Sequence, residues 1–274
     1  MKTKTLKKVT VMAMATALLA LNSCQKEKPS LQNPTPGTEV DLGTAALDAS
    51  HIALNSLANS GNSFKLNTLN CAVITDDSIS KPHVYTVDYG NGCVGSDGIL
   101  RSGKVIVKYD SKNYRLVNNT LVTTYQNYVQ AGDQIAGSTT LKNAGYNSNG
   151  NLHFTEVQSV QDTHLGQTSQ ITANYDYEWT AGESTMTESD DVFTLRGSAS
   201  GRMTGSNYTN TFTSPLVESA SCGYEFVQGV ATLVQTGQPT KTSNYGNGTC
   251  SGVVTVTQNG VTTINKQTGN PPLF

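Results

Sequence analysis

Tyr89-Gly90-Asn91-Gly92-Cys93, with Cys71 upstream, returns near the other end of the chain as Tyr245-Gly246-Asn247-Gly248-Thr249-Cys250, with Cys222 upstream. A Ser-Gly pair and an alternating Val strand follow each copy, at residues 102–107 and 251–256. Asn-Gly is the strongest short hairpin signal, because a type I′ turn needs positive φ at both central residues. The repeat therefore predicts one long β-structure whose two ends are alike, each with a hairpin beside a cysteine.

Working outward, alternation and turn residues mark about thirteen strand candidates beyond Leu66. They include 83–89, 103–109, 120–129, 134–142, 151–160 and 169–179, then 191–198, 207–213, 225–235, 240–245, 252–257 and 260–265. Their connections are short and rich in Gly, Asn, Ser and Asp, which forces antiparallel neighbours. The expected fold is mainly β, an antiparallel meander forming a sandwich or partly closed barrel. One helix precedes it at 41–60, where Leu42, Ala45, Ala46, Ala49, Ile52, Ala53 and Leu57 recur at helical spacing. His51 on that helix is read as a surface residue. Only 14% of the 274 residues are charged, and 25 Gly and 12 Tyr accompany much Thr, Ser and Asn. That fits a sheet with polar, uncharged outer faces, and Thr, Asn and Lys there argue against a lipid-facing barrel.

Residues 1–23 have a basic start and an apolar run from Val9 to Leu21, too short to span a membrane and read as an export signal. Leu21-Asn22-Ser23-Cys24 resembles the lipobox of bacterial lipoproteins, which makes Cys24 the lipidated N-terminus. Gln25-Lys26-Glu27-Lys28 is similar to the tether that sends Bacteroidota-type lipoproteins to the outer face of the outer membrane. Residues 24–40 are thus a lipidated flexible tether and 41–274 a single β-rich domain. Loss of Lys2, Lys4, Lys7 and Lys8 with the leader leaves 14 basic and 20 acidic residues, net −6. An acidic balance without a broad basic face offers nucleic acid no footprint. Asp77-Ser78-Ile79 resembles the O-glycosylation acceptor of the same bacterial group, with Ser78 as its acceptor.

With Cys24 assigned to lipid, four cysteines remain and permit three pairings. The repeated layout favours Cys71–Cys93 and Cys222–Cys250, each contributing on the order of 3 kcal/mol by restricting the unfolded chain. No CxxC or Cys/His clustering points to a metal, and no cofactor motif occurs.

Candidate chemistry is sparse. Tyr175, Tyr177 and Trp179 share one strand face with Ile171 and Ala173, a pattern that serves either as a sugar-stacking platform or as core, continuity with Ile171 and Ala173 favouring core. Glu183 with Glu188, or Asp190 with Asp191, are the carboxylate pairs that hydrolysis would need. Arg101, Lys104, Lys108, Lys112 and Arg115 form the only basic cluster, read as a solvated outer face.

Several segments together resemble an uncharacterised family of Bacteroidota-type outer-membrane lipoproteins. They are residues 88–93 and 97–107, Trp179-Thr180-Ala181-Gly182-Glu183-Ser184, Thr213-Ser214-Pro215-Leu216 and residues 245–250. Gly95-Ser96-Asp97-Gly98 stands where some relatives carry a further cysteine. That family has no established activity, so the resemblance implies architecture and location only. The expected role is a non-enzymatic, lipid-anchored module at the cell surface that binds a glycan or another envelope protein. A lipid carrier, with an apolar curled sheet and the helix as lid, is the alternative, and a carboxylate-dependent hydrolase the third.

Overall fold

The computed structural model describes residues 44–58, 71–95, 98–185, 187–203 and 205–267. All lie in one compact unit, Gln32–Phe274. The leader, Cys24 and the tether fall outside the described residues, as do both ends of the expected 41–60 helix. The helix itself, α1, is Thr44–Ala58.

Among the described residues fourteen strands follow. They are β1 (Val73–Asp77), β2 (His83–Asp88), β3 (Cys93–Val94), β4 (Leu100–Tyr109), β5 (Thr120–Gln130), β6 (Asp133–Tyr146), β7 (Leu152–His164) and β8 (Gln167–Ala181), then β9 (Val192–Met203), β10 (Ser206–Ser219), β11 (Glu225–Gln235), β12 (Lys241–Asn247), β13 (Val253–Gln258) and β14 (Val261–Lys266). Apart from β3, which pairs only with β4, they form one antiparallel meander in sequence order, open at β1 and β14. The strand reading of the sequence is realised as a single long sheet.

The sheet curls around α1. Residues 49–54 are consecutive and each at most 7% exposed, so they sample every direction around the helix. A flat sheet would leave one helix face in water, so strands must wrap it. Tyr125 donates to the Ala46 carbonyl at 2.7 Å, Ser50 donates to Thr123 at 3.1 Å, and Ser56 bonds Tyr85. One apolar cluster joins α1 to the inner faces of β2 through β11, including Val107, Leu141, Phe154, Leu195 and Leu233. Glycine kinks supply the bend. At Gly137, φ is +112°, and a Cβ would lie 2.2 Å from the Ser159 carbonyl oxygen. The ladder to β5 slips at this point, between Thr124 and Tyr128, and such a bulge increases local coiling.

The repeat that organises the sequence folds differently from the hairpin expected of it. In both copies a side chain two residues before the first Gly accepts that glycine's N–H: Asp88 from Gly90 at 2.8 Å, and Asn244 from Gly246 at 2.9 Å. Asn91 and Asn247 are not at positive φ, while the flanking glycines are. The first copy bends the chain from β2 to β3 along the same edge of β4. The second is the end of β12, where its ladder to β11 slips. The type I′ Asn-Gly turn is instead Asn259-Gly260, at φ 54° and 74°, joining β13 to β14.

Cys71–Cys93 and Cys222–Cys250 are both bonded, with Cα separations of 5.6 and 5.3 Å. Meander parity places them at opposite ends of the strands. The first ties the start of β1 to β3, and the second ties the β10–β11 turn to the β12–β13 turn.

Candidate functional site

The aromatic row of β8 faces inward. Tyr177 and Trp179 are each 5% exposed, and Tyr175 packs on the core with its ring stacked 5.6 Å from Phe212. These three rings do not form an exposed platform. Tyr175 lies across the ladder from Gly197, and Trp179 sits 5.2 Å from Phe193 and donates to Asp191 Oδ1 at 3.2 Å. Inward-facing neighbours Ile171 and Ala173 on the same strand fix that orientation through the period-2 pleat.

The opposite face of the same strand end holds a polar constellation. Glu178 is 6% exposed on the outer side of β8. Its Oε1 accepts the Nδ2 of Asn147 and Asn151 at 2.8 Å each and of Asn149 at 3.5 Å. Its Oε2 accepts Arg196 Nη1 at 2.9 Å. Asn147 also shapes the β6–β7 turn, since its Oδ1 accepts the backbone N–H of Asn149 and Asn151. The Asn151 and Asn147 amides, and then Arg196 and Asn149, hold the Glu178 carboxyl at about 2, below its ordinary 4.5, against the opposing effect of burial.

The sign of the linkage follows. A folded value below the unfolded one means stability that is complete above pH 4.5 and lost as pH falls through about 2. Glu178→Gln is expected to flatten the decline of melting temperature over that window. Melts at half-unit pH steps check this, and an unchanged acid slope would contradict the constellation.

Beside it, two loops of the same strand end meet. Arg115, from the β4–β5 loop, donates to the Glu183 carboxylate and, at 2.6 Å, to its carbonyl. The guanidinium lies 5.1 Å from the Trp179 ring centroid, a cation–π contact. Tyr146 donates to Glu183 at 3.3 Å and leaves its ring 60% exposed. Tyr146 lies across the ladder from the buried Leu152, so its ring caps the inner side of this strand end, while Glu178 holds the 147–151 amides on the outer side.

The remaining expected sites are dispersed. Asp190 accepts Thr185 Oγ1 at 2.9 Å within its loop, and Asp191 takes the indole of Trp179 on β8, so the two neighbouring carboxylates have different partners. The Glu188 side chain lies outside the described residues. Among the described residues no group of three or more His, Cys, Asp or Glu is placed to hold a metal ion. The basic cluster also separates: Lys104 pairs with Asp88 at 2.8 Å, Lys112 with Asp76 and Arg115 with Glu183. Arg101 is 1% exposed and donates to Gln130, because the alternation that turns Val105 and Val107 inward turns Arg101 inward too. His51 is likewise internal at 7% exposed, 3.7 Å from the Glu156 carboxylate, because the wrapped helix has no water face there. Ser78 is exposed in the β1–β2 turn, where Asp77 accepts the N–H groups of Ile79 and Ser80.

No protein-family model, curated protein or solved structure matches this chain. The Glu178 constellation was missed in the sequence because Asn147-Ser148-Asn149-Gly150 reads as an ordinary turn. The available signal was asparagine at alternate positions 147, 149 and 151, which puts three amides on one side of a short connection.

Proposed function

We propose that this chain is a non-enzymatic, lipid-anchored module of the outer membrane, exposed at the cell surface, that binds a glycan at the 146–151 turn. The observation that carries the reading is the 147–151 turn, whose amides Glu178 holds in place on the outer side, with the exposed Tyr146 ring leading into it at the rim of the same strand end. A pyranose presents an apolar face that stacks on such a ring and hydroxyls that pair with planar amides. Asn149 and Asn151 each use one N–H on Glu178, which leaves a second N–H and a carbonyl oxygen for a ligand. Ordering these side chains beforehand lowers the entropy cost of binding. A carboxyl held at about 2 has no proton to give near neutral pH, which suits a positioning role better than general acid catalysis.

Anchoring rests on the lipobox-like residues before Cys24 and the charged tether after it, as in the lipoprotein family that the chain resembles. The exposed Asp77-Ser78-Ile79 turn gives a glycosylating enzyme the access it needs, and Ser78 is the proposed acceptor.

The test is a screen of immobilised envelope and host-type glycans with the purified protein, its Tyr146→Ala variant and its Asn149→Ala/Asn151→Ala variant. Binding that falls at least about tenfold in both variants, a loss of roughly 1.4 kcal/mol, supports the reading. Glycan binding indifferent to both variants, or capture of an envelope protein with no glycan bound, overturns it.

A further inference from the structure

The two open edges of the sheet are guarded differently. At one edge β1 is five residues long, carries Asp76 and Asp77, and is pinned at its start by the Cys71–Cys93 bridge. Charges and shortness are the usual guards against edge-to-edge pairing. At the other edge β14 has no such guard. Its sequence is Val-Thr-Thr-Ile-Asn-Lys, every residue is exposed, and Val261 and Ile264 are 65% and 71% exposed. It has high β-propensity, no proline, and one charge, at its last position.

The hydrogen-bonding capacity of this edge follows from the hairpin. In a two-residue type I′ hairpin the pair flanking the turn is hydrogen-bonded, here Gln258 and Val261. Val261, Thr263 and Asn265 therefore spend their main-chain groups on β13. Thr262, Ile264 and Lys266 point theirs to the open edge. Among the described residues none covers it, and the Gln267 N–H bonds the Gly252 carbonyl while its side chain reaches Phe226 and Val253, on the sheet side. The following segment contains Pro271-Pro272, which cannot donate to a ladder.

We propose that β14 is a dimerisation edge, pairing antiparallel with β14 of a second copy of this chain across a two-fold axis. Antiparallel neighbours must present the same face, so the sum of paired residue numbers must be even. The register centred on Thr263 satisfies this. Thr263 then faces itself in a non-hydrogen-bonded pair, and Thr262 of each copy exchanges two main-chain bonds with Ile264 of the other. Lys266 falls opposite Gly260, so no like charges meet. The contact is isologous and closes on itself, joining two fourteen-stranded sheets into one.

Thr263→Cys in the full-length chain tests this in its own membranes, with a mild added oxidant and non-reducing gels. Cα atoms in a non-hydrogen-bonded antiparallel pair lie about 4.5 Å apart, within disulfide range. The expected result is a cross-linked homodimer, at least about tenfold more abundant than from Asn265→Cys, whose counterpart is Val261. Adding Ile264→Pro should abolish the link, since it removes an outward N–H while the β13 ladder keeps its bonds. Peptide mapping of the two native bridges confirms that each variant is folded. A folded Thr263→Cys protein that stays monomeric, links to a different protein, or links as well with Ile264→Pro overturns the proposal.

Discussion

Glu156→Ala is expected to lower stability by about 3–5 kcal/mol, among the largest losses available to a single substitution in this chain. Glu156 is 1% exposed on the inner face of β7 and faces His51 of α1 at 3.7 Å. Gln158 Nε2 donates to its other oxygen at 2.6 Å, and burial together with this carboxylate pushes the Tyr177 phenol well above its ordinary value. Truncation takes the carboxylate away from His51 and removes the acceptor of Gln158 and the Tyr177 hydroxyl in a dry interior, where lost polar partners are costly. For a domain of this size each kcal/mol moves the melting temperature by about 2–4 °C, so a drop of roughly 6–20 °C is expected. His51→Ala alone should also destabilise, and the double variant should cost less than the sum, since each removes the other's partner. A Glu156→Ala melt within about 2 °C of wild type would mean that the helix does not face β7.

That interior was only partly legible in the sequence. Period-2 patterns at Val105, Val107 and Tyr109 and at Ile171 through Trp179 gave strand identity and inner face, because the pleat is local. The cysteine layout gave both bridges, since a lone cysteine precedes each Tyr-Gly-Asn-Gly stretch that ends in a second one. What stayed hidden depended on curvature. Nothing in 41–60 says that strands surround it, so the sequence alone puts His51 in water when it belongs beside Glu156. At both repeats Asn-Gly reads as a type I′ turn, but the turn of that type is Asn259-Gly260, where two strands of matched length flank it. At Gly92 and Gly248 the glycines serve bends at strand ends. The outer-face site was invisible for a related reason: Glu178 and Asn151 become neighbours only through the β7–β8 register.

A filled groove is consistent with the ligand site proposed at the 146–151 turn. If α1 permanently occupies the curled sheet, a ligand has only the outer surface and the strand ends to use. A carrier would require α1 to leave. Hydrogen exchange distinguishes the two, because a 15-residue helix released into water is marginal on its own. Buried within the sheet, its amides exchange only through large-scale unfolding.

The decisive measurement is therefore amide hydrogen exchange of the mature protein, read by mass spectrometry for peptides covering residues 46–58. Protection of roughly 10³-fold or more, matching peptides from β6 and β7, is the expected result for a domain of ordinary stability. Exchange near the unprotected rate while β6 and β7 stay protected would show a helix that leaves its groove, and would move the ligand site to the inside of the sheet.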